Sequence, residues 1–205
     1  HERLDLGHAA SSPAAEATPL AHVAGAGQRL AVLYGSSLGT ARDIAEEIAE
    51  RARLDGFDTI VRAMDESFAL GLEAEDRVLV IVTATYNGRA PDSALDVEQA
   101  ITSGYFDNTR WPDARFAVLG IGNSQWPNYQ AFPKLVDAAI ERTGATRLVP
   151  RAEADGQGDF DGAVSGFIRD LWASLGGTSE PASVSAAALT LSIVDRSETR
   201  AHALP

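Results

Sequence analysis

The stretch that most restricts the possible folds is Leu30-Ala-Val-Leu-Tyr-Gly-Ser-Ser-Leu-Gly-Thr-Ala-Arg-Asp43. Leu30 to Tyr34 is a short apolar run, as in a strand buried on both faces. Gly35 to Gly39 is a loop of small and hydroxyl residues. At Thr40 a helical pattern begins, with Ile44, Ala45, Ile48, Ala49 and Ala52 recurring on one face. Strand, loop and helix start in this order aim free backbone N–H groups and the positive end of a helix at one point, which suits a phosphate. Glycine lets the backbone approach, and Ser36, Ser37 and Thr40 add side-chain donors. The same residues also suit an ordinary strand-to-helix connection. A triphosphate loop needs a Lys before its Ser or Thr, and Leu38-Gly39-Thr40 has none. Gly35 and Gly39 do not fit the G-x-G-x-x-G spacing of dinucleotide turns. A loop without a cation points to a single terminal monoester held by neutral donors.

The rest of the chain repeats the strand–helix alternation. Gly56 is placed to stop the first helix. Thr59 to Met64 reads as a second strand, and Asp65 to Glu75 as a connection with one helical turn. Arg77-Val-Leu-Val-Ile-Val-Thr83 is the strongest strand pattern, β-branched and apolar throughout. Pro91 to Ser103 reads as a helix with Pro at its start. Arg115 to Ile121 is a fourth strand, Pro133 to Thr143 a helix ended by Gly144, and Arg147 to Val149 a brief fifth strand. Asp159 to Leu175 is the last helix, with Val164, Phe167, Ile168, Leu171 and Trp172 on one face. Five strands alternating with helices imply an α/β fold with a doubly wound five-stranded parallel sheet, order 2-1-3-4-5. In that order the first and third strands bracket the switch point, and a ligand sits beyond their carboxyl ends. The core unit is 29–175. Residues 1–28, rich in Ala, Ser, Pro and Gly, read as a linker or tail from a preceding domain. Residues 176–205 read as a second linker leading into Ala186 to Val194, which alternates like one unpartnered strand and marks the start of another domain.

Composition narrows the function. The 205 residues carry a net charge of -12 and the pI is near 4.7, which makes nucleic acid a poor partner and an electropositive protein surface a better one. With no Cys there is no disulfide framework and no thiolate catalyst or metal ligand. His1, His8, His22 and His202 all fall in the tails, leaving the body of the chain without a His-based catalytic centre or metal site. No apolar run reaches membrane-spanning length and no basic-then-apolar leader is visible, so the expectation is a cytoplasmic protein without membrane or nucleic-acid partners.

Two further loops lie at carboxyl ends of strands. One is Thr83-Ala-Thr-Tyr-Asn-Gly-Arg-Ala-Pro-Asp92, the other Leu119-Gly-Ile-Gly-Asn-Ser-Gln-Trp-Pro-Asn-Tyr-Gln130. Each carries an aromatic at the rim, Tyr86 and Trp126. Either ring alone is equally well read as half-buried packing. Together they suit the clasping of a flat heterocycle, each stack adding on the order of 1 kcal/mol. Asn87, Gly88, Gly122 and Asn123 offer amide and backbone contacts to the ring's edges. A phosphate at one end and a stacked planar ring at the other describe flavin mononucleotide, FMN.

On these motifs, Tyr34-Gly-Ser-Ser-Leu-Gly-Thr-Ala41, Thr83-Ala-Thr-Tyr-Asn-Gly88, Gly120-Ile-Gly-Asn123 with Trp126, and Arg151-Ala-Glu-Ala-Asp155, residues 30–172 resemble the flavodoxin-like FMN domain of diflavin reductases. The likeness is strongest to the reductase part of self-sufficient bacterial cytochrome P-450 fatty-acid hydroxylases, where haem, FMN and FAD/NADPH domains share one chain. Leu189 to Asp195 is similar to the entry into that family's FAD-binding part. Asn123 departs from the family's acid, and the Trp126 to Tyr129 segment is one residue shorter. The resemblance implies that Ser36, Ser37, Leu38, Gly39, Thr40 and Ala41 hold the FMN phosphate. Thr85, Tyr86, Asn87 and Gly88 would line one face of the ring. Ile121, Gly122 and Asn123 would border the other side with Trp126 stacked, and Asn128, Tyr129 and Gln130 would lie at the ribityl or outer rim. No catalytic side chain and no metal ligand is implied; FAD, NADPH and haem belong to the rest of the full protein. The function implied is one-electron transfer from a FAD/NADPH module to a haem partner, within a fused monooxygenase. The FMN domain of a sulfite-reductase-type flavoprotein and a stand-alone flavodoxin are the alternatives. Asp92, Asp96, Asp155, Asp159 and Asp161 form a candidate docking face for a basic haem domain; they also suit plain solvation. A receiver domain has the same topology but needs an acid pair after strand one and an Asp after strand three, and Gly35-Ser36 and Thr83-Ala84 supply neither.

Overall fold

The computed structural model describes residue 25, residues 27–69 and residues 77–176. The four His, most of both predicted linkers and the strand expected at Ala186 to Val194 lie outside the described residues. The element order is β1 (Arg29–Gly35), α1 (Thr40–Leu54), β2 (Asp58–Ala63), α2 (Met64–Ala69), β3 (Arg77–Ala84), α3 (Leu95–Thr102), β4 (Arg115–Gly122), α4 (Ala131–Arg142), β5 (Thr146–Arg147), β6 (Ala152–Asp155) and α5 (Phe160–Ser174). The pairings between these strands are parallel, and the sheet runs β2-β1-β3-β4-β5, with β6 also on β4.

The strand alternation splits the core into two layers. Val78, Val80 and Val82 face α1 and α5, together with Leu30, Val32, Leu119, Ile48, Phe167 and Leu171. Leu79 and Ile81 face the opposite way, together with Ala31, Phe116, Val118, Ile101, Phe132 and Val136. Because both faces are covered, each central strand is apolar at every position rather than at every second one. The α1 stripe expected from the sequence, Ile44, Ala45, Ile48, Ala49 and Ala52, is buried. On α5, Val164, Phe167, Leu171 and Trp172 are buried, and Ile168 is half-buried. The Trp172 indole N–H donates to the Asp55 carboxylate, which is also paired with Arg51, so the last helix is tied to the end of the first.

Three elements differ from the expectation. The fifth strand is not a single run at Arg147 to Val149. Phe116 pairs with Arg147 and Leu119 with Ala152, so three steps along β4 are matched by five on its neighbour. Pro150, which has no N–H to give the ladder, lies in the resulting break between β5 and β6. Nor does a continuous helix start at Pro91. Residues Asp92–Ala94 form a 3₁₀ turn with non-helical Ser93 (φ -93°, ψ 17°), and α3 begins only at Leu95. Met64, expected to end the second strand, starts α2 instead.

Candidate functional site

β1, β3 and β4 are adjacent and parallel, with Gly35 opposite Thr83 and Ala84 opposite Ile121. The loops that follow them therefore open on the same edge of the sheet. The switch point lies between β1, whose chain continues toward β2 on one side, and β3 on the other.

The first loop is built around unfilled donors. Helix α1 starts at Thr40 after Gly39, which has φ 100° and no side-chain cap. Its first intrahelical bond runs from Asp43 N–H to Gly39 C=O, so the N–H groups of Thr40, Ala41 and Arg42 precede the ladder. The starts of α3, α4 and α5 are each served by a side-chain oxygen. Asp65 receives Val97 N–H in α3, Thr85 receives Phe132 N–H in α4, and Asp159 receives Gly162 N–H in α5. Among the described residues α1 has no such oxygen on its first turn. A Cβ on Gly39 would meet nothing within 4 Å, so the space in front of the helix is open.

The hydroxyls of this loop are set as donors. Ser36 Oγ accepts Gly39 N–H at 2.9 Å, and Ser37 Oγ accepts Asp92 N–H at 3.0 Å. A hydroxyl whose lone pair is engaged in this way has its single proton left for another acceptor. With the helix end, these groups make a cradle that is neutral in formal charge and rich in donors. Leu38 stands 83% exposed at its tip.

The second loop is a tight hairpin. Tyr86 and Arg89 exchange both backbone hydrogen bonds, 2.9 and 3.0 Å, across Asn87 (φ 50°) and Gly88 (φ 79°). Positive φ at both central positions is the signature of a type I′ turn, for which Asn-Gly is the favoured pair. The turn raises Tyr86 to 45% exposure. Behind it, Glu98 accepts from Ala90 N–H and pairs with Arg89.

The third loop follows β4. Asn123 Oδ1 accepts Gln125 N–H, and Asn123 C=O accepts Trp126 N–H. Asp155 Oδ1 accepts both Ser124 and Gln157 N–H groups, and hydrogen bonds from Ser124 foremost, then from Gln157, hold its carboxyl below the ordinary carboxylate range. These ties present Trp126 with 69% of its surface free. Burial pushes the Tyr129 hydroxyl up from its ordinary value. The second and third loops touch, since a Cβ on Gly88 would stand 2.7 Å from Asn128 Nδ2.

Of the residues singled out in the sequence, Ser36, Ser37, Leu38, Gly39, Thr40, Tyr86, Asn87, Gly88, Gly122, Asn123, Trp126, Asn128 and Tyr129 all lie in the loops at this edge or at the element ends that bound them, with some surface exposed. Four are placed differently. The side chain of Ala41 packs in the core beneath α1, and Ile121 in the same layer. The Thr85 hydroxyl caps α4. Gln130 is 0% exposed at φ 61°, with its amide lodged against Gly120 and its Oε1 accepting from Arg151 at 3.4 Å. Of the acidic residues, Asp155 and Asp159 are engaged in local hydrogen bonds, while Asp92, Asp96 and Asp161 are exposed. Sequence reasoning missed Ser93, whose hydroxyl meets the Ser36 backbone, because nothing local in Pro-Asp-Ser-Ala marks a contact to residue 36. No helix among the described residues is long and apolar enough to cross a membrane.

Residues 32–167 match the family model described as flavodoxin. The bifunctional cytochrome P450/NADPH--P450 reductase of Bacillus cereus is 35% identical over 144 residues, 70% of this chain and 13% of that protein. Methionine synthase reductase of Caenorhabditis elegans is 31% identical over 145 residues, 70% of this chain and 21% of that protein. The chain thus spans only 13% to 21% of the length of these relatives. Among solved structures, oxidised flavodoxin 1 of Bacillus cereus aligns with a TM-score of 0.58 at 21% identity, covering 72% of this chain and 96% of that one.

Proposed function

The chain belongs to the flavodoxin family, and from that premise we propose that it is an FMN-binding electron-transfer domain. The observation that carries the proposal is the uncapped start of α1 with its donor-set hydroxyls, on the same sheet edge as the exposed rings of Trp126 and Tyr86. The residues fit the group. Ser36, Ser37, Thr40 and the N–H groups of Leu38, Thr40, Ala41 and Arg42 would hold a phosphate monoester. Tyr86 and Trp126 would clasp the isoalloxazine, and the Asn87-Gly88 turn and Asn123 would meet its polar edge. FMN supplies the redox chemistry when bound, since a flavin accepts and releases electrons singly. The chain's own residues would hold it, the first loop at its phosphate and Tyr86 and Trp126 at its ring.

The same reading makes this chain one module of a longer protein, receiving electrons from a FAD/NADPH reductase module and passing them to a haem partner of the cytochrome P-450 type. It is supported by likeness to the bifunctional reductases, which extend well beyond the matched segment. The net charge of -12 suits a partner surface of positive charge.

The test is direct. The purified chain, incubated with FMN and desalted, should retain one yellow, fluorescence-quenched flavin per chain. After chemical reduction it should reduce a ferric P-450-type haem domain, and the rate should fall as salt rises. A protein that stays colourless overturns the FMN reading, and a flavin-loaded protein that leaves the haem oxidised overturns the partner.

A further inference from the structure

We propose that Ser93 is the positioning residue that holds the phosphate cradle in its ligand-ready shape, acting through the backbone of Ser36. The inference deepens the FMN reading and rests on it. Ser93 Oγ accepts Ser36 N–H at 3.0 Å and donates to Ser36 C=O at 3.1 Å. Its proton is spent on a carbonyl, so the hydroxyl has none to offer a ligand and works on the loop. Both polar groups of residue 36 are fixed from a position 57 residues away in sequence. The Gly35–Ser36 peptide is held at its carbonyl as well, where Thr83 Oγ1 donates to Gly35 C=O at 3.3 Å.

With its backbone clamped at the exit of β1, Ser36 is aimed so that its own hydroxyl reaches Gly39 N–H at 2.9 Å and closes the loop on itself. The closed loop ends at Gly39, with φ 100°, from which α1 starts with no side-chain cap on its first N–H groups. A third tie, from Asp92 N–H to Ser37 Oγ at 3.0 Å, comes from the residue beside Ser93. Ser93 is itself anchored. Pro91 and Ala94 on either side are buried, and Ala94 N–H donates to Pro91 C=O at 2.9 Å. The backbone leaves helical geometry at Ser93 and Ala94, so the break between the 3₁₀ turn and α3 falls where the clamp is made. A loop held in its binding shape before the ligand arrives loses less freedom on binding. The clamp touches the phosphate end of the site and leaves the rings of Tyr86 and Trp126 alone.

The test compares FMN with riboflavin, which has the same ring and no phosphate. The full chain and its Ser93→Ala, Ser93→Val and Ser93→Thr variants are titrated with each flavin and followed by fluorescence quenching. Thr and Val differ mainly in one hydroxyl. Ser93→Ala and Ser93→Val should weaken FMN binding about tenfold, the scale of one or two neutral hydrogen bonds, with riboflavin affinity within about twofold. Ser93→Thr should restore FMN affinity. A second arm uses inorganic phosphate alone and reads the amide resonances of Thr40 and Ala41. These should shift on titration in the wild-type chain, and saturate at higher phosphate in Ser93→Val than in Ser93→Thr. If FMN and riboflavin weaken in equal proportion, or Ser93→Val matches Ser93→Thr in both arms, the clamp is overturned while the FMN reading stands. If the wild-type chain takes up neither flavin but the phosphate arm behaves as stated, the FMN reading fails and the clamp survives.

Discussion

Gly120→Ala is the substitution whose cost can be worked most directly from the structure. Gly120 lies within β4, buried between Thr83 of β3 and Glu153 of β6. A Cβ there would fall on Gln130 Oε1 and stand 2.8 Å from both Gln130 Cδ and Pro133 Cβ. Ordinary carbon contacts lie at about 3.5–4.0 Å, so the new methyl overlaps two groups at once. The end of an exposed side chain would swing away at little cost. Gln130 cannot, being 0% exposed and holding the position before α4 at φ 61°, with Lys134 N–H on its carbonyl. Pro133 is fixed by its ring in the first turn of the helix. Overpacking of this kind costs about 1–3 kcal/mol, and displacing Gln130 from Arg151 adds about 0.5–1.5 kcal/mol. Gly120→Ala should therefore destabilise by about 1.5–4.5 kcal/mol. Gln130→Ala removes the atoms nearest the new methyl, but Pro133 remains. The double variant should be more stable than additivity requires by about 1–2 kcal/mol, within the range of coupling measured for residues in contact. Urea unfolding of the flavin-free chain, followed by tryptophan fluorescence, measures all four corners of the cycle. Additivity within about 0.5 kcal/mol would show that Gly120 is not reserved for the Gln130 amide.

Other substitutions separate folding from binding. Trp126→Ala and Tyr86→Ala remove rings that are largely outside the core, so unfolding midpoints should move by about 0.5 kcal/mol or less. FMN affinity should meanwhile fall by roughly threefold to tenfold for each ring, the scale of one aromatic stack; calorimetric titration measures it. At Asn87, φ 50° favours Asn or Gly. Asn87→Val should cost about 1–3 kcal/mol, and Asn87→Gly much less, as read by thermal unfolding. Asp155 should make the third loop acid-sensitive. Its folded carboxyl titrates below the unfolded value of about 3.9, so its contribution is fully present above that value and is lost as the pH falls through the lower folded one. Unfolding of wild type and Asp155→Asn from neutral pH into the acid range should show their difference shrinking in that window and constant above it.

Much of this protein is legible one neighbourhood at a time. The runs Leu30 to Tyr34, Arg77 to Thr83 and Arg115 to Ile121 have no polar alternation, which happens when a strand is buried on both faces, and the helical stripes between them supply the cover. Asn87-Gly88 and Gly144 reveal their turns because each needs a positive φ. Alternating elements with right-handed crossovers then leave few sheet orders, and the order places all three loops on one edge. What the residues could not announce is which groups meet across those loops. Ser93 is unremarkable in its own tetrapeptide and becomes a clamp only because β1 and β3 are neighbours. Gln130 looks like a rim residue until the αL turn before α4 folds its amide beneath the loop. The split of the last strand depends on how β4 is matched, not on Arg147 to Val149 themselves. Periodicity and turn chemistry act between residues a few positions apart, so they are written in the sequence. Hydrogen bonds and close contacts between distant segments exist only after packing has fixed the distance between them, and that is where tertiary structure decides.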